Sequence, residues 1–373
     1  MRARERQPDE RPRVLVPRPD HLGDVLLTLP AIRALRRRVP GVHVTLMVPP
    51  SLVPIAERAV DVDEALPMTL VIGRPMPVAG SGEVESAAVA LRGRFDLGLV
   101  ARPNDPWSGG LLAAASVPLR VGHPQPGTLP FLTHAFPERA SRHVATEAVL
   151  LALHAGALLR PTGPRTRRSP EPAVRLLRDD YEAADRVLAK AGVGMSAPII
   201  VHPTAGWPLK TWPVERWSRV VSDLAERSRR PLLVVGQSFE KAQLDAVIDG
   251  SGGKGLVVHD VSLGTLAALH ARAGVVVGID SGALHLAALL GAPVVGLYGP
   301  FGAGRVAPIG PAGRIRALFR VLPCSPCGTL ETPPCGARRE PACLLAISTE
   351  DVVAAAVQLA GSQSKSLGAD TRI

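Results

Sequence analysis

Short runs of consecutive apolar residues alternate with stretches whose apolar positions recur every three or four residues. The runs predict buried strands and the stretches predict amphipathic helices, which together define an α/β protein with mostly parallel sheets. In the first half, Val14–Pro17 predicts a strand. Val25–Val39 follows as a helix, with Arg33, Arg36, Arg37 and Arg38 toward its C-terminal end, where basic residues complement the helix dipole. Pro40-Gly41 stops it. Val42–Val48 and Leu97–Ala101 read as strands, and Val144–Leu159 as a helix.

The segment RPTGPRTRRSPEP, Arg160–Pro172, lacks apolar periodicity and predicts an interdomain linker. After it the pattern restarts. Strands are expected at Pro198–Val201, Pro231–Gly236, Leu256–His259, Val275–Ile279 and Pro293–Tyr298. Helices are expected at Pro213–Ser228, Phe239–Ile248, Leu263–Ala273, Gly282–Leu290 and Thr349–Leu359. This predicts two consecutive doubly wound domains, 13–165 and 166–345, followed by a C-terminal helix, 346–360. A basic tail, 1–12, and a polar tail, 361–373, are expected to be disordered.

Composition narrows the partners. The 373 residues carry a net charge of +10, and 46% are hydrophobic, so the chain can bury real cores. Aromatic residues make up only 3%, which argues against stacking platforms for nucleic acid. The basic excess suits a phosphate-bearing substrate or an anionic lipid surface, or is simply a solvated face. Arginine concentrates at Arg2, Arg4, Arg6, Arg11, Arg13 and Arg18, and again at Arg160, Arg165, Arg167 and Arg168. Met1–Glu10 lacks the apolar core of a signal peptide, and no uninterrupted apolar run reaches the ~18 residues of a membrane span. A soluble cytoplasmic protein is the expectation.

In doubly wound sheets ligands bind beyond the carboxyl ends of the strands, so three loops carry the candidate chemistry. The first contains Arg18, Gly23 and Asp24; Asp24 is either a helix cap or a carboxylate able to take a proton from a hydroxyl. The second, His202–Pro213, offers Thr204 and the cation Lys210, and three of the four tryptophans fall between Trp207 and Trp217. There Lys210 either offsets phosphate charge or is solvated on a packed loop. The third contains Asp280, Ser281, Gly282 and His285, where a strand ends and a helix opens; exposed N–H groups at such a start suit a phosphate. The plain alternative is a capping Asp280 and a packed His285.

Other motifs lead elsewhere. Gly250–Gly255 is not a phosphate-binding P-loop, because no Ser or Thr follows Lys254 and a strand comes next. Gly302–Ala307 matches a dinucleotide pattern in letters, but Pro308 blocks the required helix. Asp61-Val62-Asp63 has the form of a metal-binding carboxylate pair yet sits in a charged turn. Cys324, Cys327, Cys335 and Cys343 are readable as a structural zinc site, as free packed thiols or as disulfides, and none of these is catalytic.

The segments RPDHLGDVLLTLPAIRALRRRVPG, VHPTAGWPLKTWPVERW and GIDSGALHLAALLGAPVVGLYGP resemble glycosyltransferase family 9, the ADP-heptose:lipopolysaccharide heptosyltransferases, as does the cysteine segment CSPCGTLETPPCGARREPACLLAIS. The resemblance implies a GT-B fold, two Rossmann-like domains facing a cleft, with acceptor on the N-terminal domain and nucleotide-sugar donor on the C-terminal one. It implies inverting transfer without a divalent metal or other cofactor. By position it makes Asp24 the general base, and Arg18 and Gly23 of the same loop are then the candidate acceptor-side residues. Thr204, Lys210, Asp280, Ser281, Gly282 and His285 fall on the donor side. The implied partners are a nucleoside-diphosphate sugar and a cell-envelope glycolipid, with peripheral contact at the inner membrane face through basic residues. A different nucleotide-sugar donor, or a non-catalytic binding protein of the same fold, are the competing readings.

Overall fold

The computed structural model describes residues 11–68, 81–163, 173–194 and 196–367, with side chains to residue 361. The chain divides into two compact units, Met1–Arg175 and Leu176–Ile373.

In the first unit the order is β1 (Arg13–Pro17), α1 (Leu22–Arg38), β2 (His43–Val48), α2 (Val53–Ala56), β3 (Glu64–Pro67) and α3 (Gly82–Val89), then β4 (Leu97–Val100), α4 (Pro106–Ala114), β5 (Leu119–Gly122), β6 (His134–Ala135) and α5 (Val144–Ala157). Its six strands are all parallel, in the order β3-β2-β1-β4-β5-β6. Val14, Leu15 and Val16 of β1 are fully buried, as a strand covered on both faces requires. Asp61 and Asp63 serve this unit as struts. Arg33 Nε donates to Asp61 Oδ2 at 2.7 Å, and Asp63 accepts from the Val44 N–H at 2.8 Å and pairs with Arg36.

In the second unit the order is α6 (Arg178–Lys190), β7 (Ile199–His202), α7 (Val214–Ser228), β8 (Leu232–Val235), α8 (Lys241–Gly250), β9 (Leu256–Val258), α9 (Leu263–Arg272) and β10 (Val275–Ile279). It continues with α10 (Gly282–Leu289), β11 (Val294–Leu297), α11 (Ala303–Val306), β12 (Ile315–Leu318), α12 (Ala342–Leu345) and α13 (Thr349–Leu367). Its six parallel strands run β12-β11-β10-β7-β8-β9, the same winding as the first sheet. The strand residues pack with Trp212, Trp217 and Leu224 on one side of a core that α13 closes with Val352, Val353, Ala356 and Leu359. Gly278 is required where β10 passes β7, because a Cβ there would stand 2.7 Å from the His202 carbonyl oxygen.

Each unit is therefore a doubly wound Rossmann-like domain. Two boundaries move from their expected places. The first unit runs to Arg175, past residue 165, because the Val60 N–H donates to the Ala173 carbonyl at 3.0 Å and the Arg175 N–H to the Arg58 carbonyl at 2.7 Å. The C-terminal helix does not end at residue 360 but continues to Leu367. Gly361 weakens a helix by about 1 kcal/mol without breaking it, and no proline follows. Residues 1–10, 164–172 and 368–373, to which disorder or a linker was assigned in part, lie outside the described residues. Among the described residues no helix is long and apolar enough to cross a membrane.

Candidate functional site

In each sheet the winding reverses once, between β1 and β4 in the first unit and between β7 and β10 in the second. Such a switch point leaves a crevice at the strand carboxyl ends, and the predicted residues of each unit gather there.

In the first unit, Asp24 is the third residue of α1, whose N-cap is His21, so it is not the cap that one sequence reading allowed. Its side chain is 50% exposed. Arg18, by contrast, is buried. It donates from Nη2 to the Asp24 main-chain oxygen at 3.0 Å, and its Nε lies 3.3 Å from Asp20 Oδ2. Arg18 is thus spoken for and is no part of an exposed basic surface. Arg13, inside β1, likewise lies over the Phe95 ring at 5.9 Å. Gly23 is the second residue of α1 and is half-buried.

Residues that sequence reasoning missed complete this crevice. Arg102, just beyond β4, places Nε 3.2 Å from Asp20 Oδ1. Asp105 caps α4 by accepting from the Ser108 N–H at 3.0 Å, and burial pushes its carboxyl above the ordinary range, opposed by Ser108 and Arg102. The loop is tied down by the Gly127 N–H donating to Asn104 Oδ1 and the Asp105 N–H donating to Thr128 Oγ1, each at 2.7 Å. The position of Arg102 and Asp105 after a strand was the available signal.

In the second unit Lys210 Nζ stands 2.7 Å from Asp280 Oδ2, bridging the β7 and β10 loops across the switch point. Their side chains are 19% and 8% exposed. The Lys210 ammonium also lies 5.7 Å from the Phe301 ring centre. Lys210 ends a short turn held by Leu209 and Trp212, both buried. The Trp212 indole N–H donates to the Leu344 carbonyl at 3.1 Å, and its ring meets Trp217 edge-on at 5.0 Å. Trp207 stays 38% exposed. The tryptophan cluster is thus two anchors and one surface ring.

Ser281 is the N-cap of α10, and its buried hydroxyl has no hydrogen-bond partner among the described residues. Gly282 opens the helix, whose first N–H groups lack intrahelical acceptors as at any helix start. Thr204 and His285 are buried beside these loops. Tyr298, after β11, is buried, and its phenol is held well above its ordinary value by burial and by the Asp280 charge. Lys210, Asp280, Ser281 and Gly282 thus put a cation, an ion-paired carboxylate, an orphan hydroxyl and a helix N-terminus on the loops at the β7 and β10 ends, with Thr204 and His285 buried on the same two segments. That set suits a diphosphate with a polyhydroxyl group attached.

Beneath it, His202 Nε2 and His270 Nε2 are 2.8 Å apart, and His202 Nδ1 faces the Val235 carbonyl at 3.1 Å. Burial holds His202 down at about 4 and His270 well below its ordinary value, so both rings are neutral.

The four cysteines are free thiols, with Cys324 and Cys327 half-buried, Cys335 exposed and Cys343 buried. Among the described residues no three His, Cys, Asp or Glu are grouped so as to hold a metal ion.

Each unit is thus a doubly wound domain with charged side chains at its switch point, an exposed carboxylate at Asp24 in the first and the Lys210–Asp280 pair in the second. The chain belongs to glycosyltransferase family 9 (heptosyltransferase), whose family model matches residues 87–333. It is 27% identical over 329 residues to lipopolysaccharide heptosyltransferase 1 of Pseudomonas aeruginosa, covering 84% of this chain and 86% of that protein. It is 24% identical to lipopolysaccharide heptosyltransferase 1 of Escherichia coli K12, covering 79% of this chain and 90% of that protein.

Among solved structures, a glycosyl transferase family 9 protein from Veillonella parvula superposes with a TM-score of 0.77 at 22% identity, covering 94% of this chain and 98% of that one. E. coli ADP-heptose lps heptosyltransferase II superposes with a TM-score of 0.72 at 19% identity, covering 94% and 99%. The fold is accordingly GT-B, and the chain is a glycosyltransferase.

Proposed function

We propose that the enzyme transfers heptose from ADP-heptose, with inversion and without a divalent metal, to a hydroxyl of a lipopolysaccharide core or related envelope glycolipid. The first unit takes the acceptor and the second the donor. The observation that supports this reading is the Lys210–Asp280 pair beside the α10 N-terminus in a chain of this family.

Asp24 accepts the proton of the acceptor hydroxyl as that oxygen attacks the anomeric carbon. The bond from the anomeric carbon to the diphosphate oxygen breaks on the opposite face, and ADP departs with the electron pair. Without metal, the leaving charge is met by Lys210 and by the N–H groups opening α10. Ser281 and Asp280 can hydrogen-bond donor hydroxyls, and Thr204 and His285 are buried on the same two segments.

A donor panel assayed in excess chelator with envelope glycolipid extracts tests the proposal. Turnover with ADP-heptose supports it. Turnover with another nucleotide sugar only, dependence on added metal, or donor binding without turnover would each contradict it.

A further inference from the structure

The crevice of the first unit holds a charge arrangement that the reaction scheme does not use. Arg18 is 6% exposed and Asp20 8% exposed, so neither charge can turn to bulk water, and each must keep a counter-charge. Asp20 divides its two oxygens between two arginines, Oδ2 toward Arg18 Nε at 3.3 Å and Oδ1 toward Arg102 Nε at 3.2 Å. These are charge pairs rather than aligned hydrogen bonds, and they flank the carboxylate from both sides of the switch point, one arginine leaving β1 and the other leaving β4. The Arg18 N–H is itself pinned to the Met47 carbonyl at 2.8 Å.

The far end of the Arg18 guanidinium reaches Asp24, but reaches its main chain. Nη2 donates to the Asp24 carbonyl oxygen at 3.0 Å and stands 4.0 Å from the nearer carboxylate oxygen. Thr28 Oγ1 donates to the same carbonyl at 2.9 Å, so the Asp24 backbone is held twice while its carboxylate makes no hydrogen bond among the described residues. That difference matters for proton transfer. A two-pronged arginine–carboxylate pair occupies the lone pairs a base must offer to a hydroxyl.

We propose that Asp20 is a positioning residue for the transfer reaction, holding Arg18 so that it fixes the Asp24 main chain and leaves the Asp24 carboxylate open to the acceptor hydroxyl. The inference rests on the reading of Asp24 as the base. Asp20 supplies from behind the negative charge that Arg18 would otherwise take from Asp24. Arg102 keeps Asp20 from following Arg18 forward. The loop thereby keeps a buried cation beside a catalytic carboxylate without letting the two close into a pair.

The test is steady-state kinetics of Asp20→Asn, Arg18→Gln, the double variant R18Q/D20N and Asp24→Asn, each checked by thermal unfolding. With Asp20 neutralised, Arg18 closes on Asp24. The kcat of D20N is then expected to fall about tenfold or more while the donor KM stays within about twofold. Removing Arg18 as well relieves the capture, so R18Q/D20N should exceed D20N in kcat by about threefold or more.

Removing both buried charges can also restore stability, so kcat is compared well below the unfolding temperature of every variant, where each is fully folded and a gain in stability does not raise kcat. If D20N does not fold, the pair R18Q and R18Q/D20N carries the test: with no Arg18 to hold, neutralising Asp20 should change kcat by less than about twofold. The proposal is overturned if D20N keeps wild-type kcat, if the double variant is no faster than D20N, or if D20N still slows R18Q protein. Wild-type turnover by D24N is a separate result and would remove the base assignment itself.

Discussion

Replacing Lys210 with Met probes the donor crevice by leaving Asp280 without its partner. The Met side chain keeps most of the apolar stem of Lys210 and deletes only the charge. Breaking a fully buried ion pair from one side costs about 3–5 kcal/mol, because a buried charge is left uncompensated. Asp280 is nearly that buried at 8% exposed, but Lys210 is 19% exposed, so water can enter the gap. The expected cost is thus roughly 2–3 kcal/mol.

For a domain of the size of Leu176–Ile373, each kcal/mol lowers Tm by about 2–4 °C, giving a fall of roughly 4–12 °C in the unfolding of that unit. Differential scanning calorimetry reads the shift. The double variant K210M/D280N, with both charges gone, should recover about half of it or more. ADP should bind K210M protein about tenfold more weakly or worse, some 1.4 kcal/mol, by titration calorimetry. An unchanged Tm, or a double variant less stable than K210M, would refute the uncompensated-charge argument. Unchanged ADP affinity would take Lys210 out of the donor site.

The buried His202–His270 pair makes stability pH-dependent. Both rings are held neutral by burial, His202 down at about 4 from its ordinary 6.5, so the unfolded chain binds the proton first. The stabilisation is complete above pH 6.5 and is lost as pH falls toward 4, by roughly 3 kcal/mol for His202 at about 1.4 kcal/mol per pH unit. Urea unfolding of wild type and His202→Asn across that window checks this; parallel curves would refute it. The net charge of +10 and the N-terminal arginines suggest docking on an anionic bilayer, at about 1 kcal/mol per basic residue near the surface. Binding to phosphatidylglycerol vesicles should weaken with salt and weaken further in an R2Q/R4Q/R6Q variant. Salt-insensitive binding, or identical binding by the variant, would exclude the electrostatic mechanism.

Much of the fold was legible because its strands are buried on both faces. Val275–Ile279 and Val294–Leu297 are apolar runs cut off by Asp280 and by Gly299-Pro300, and the helices between them repeat with their own period. The elements that escaped lack such a contrast. α4 reads PWSGGLLAA, apolar nearly throughout with two glycines, and β3 is only EALP, half-exposed at a sheet edge. α6 is strongly amphipathic but directly follows the arginine–proline segment that reads as linker.

The site divides the same way. Asp280, Ser281, Gly282 and His285 stand together in sequence, so their grouping is read from one loop. The contact of Lys210 with Asp280, and of Asp20 with Arg102, depends on which strands become neighbours. That adjacency of β7 to β10 and of β1 to β4 is a property of the winding, which local pattern does not specify.

On the proposed mechanism, the open Asp24 carboxylate activates the acceptor hydroxyl. The most direct test of that role is single-turnover transfer from ADP-heptose in excess chelator, wild type against Asp24→Asn, with donor binding measured on the same preparations. Wild-type protein is expected to transfer without metal, and D24N protein to bind ADP-heptose within about twofold of wild type but transfer heptose at least about a thousandfold more slowly. Transfer by D24N near the wild-type rate would contradict that role.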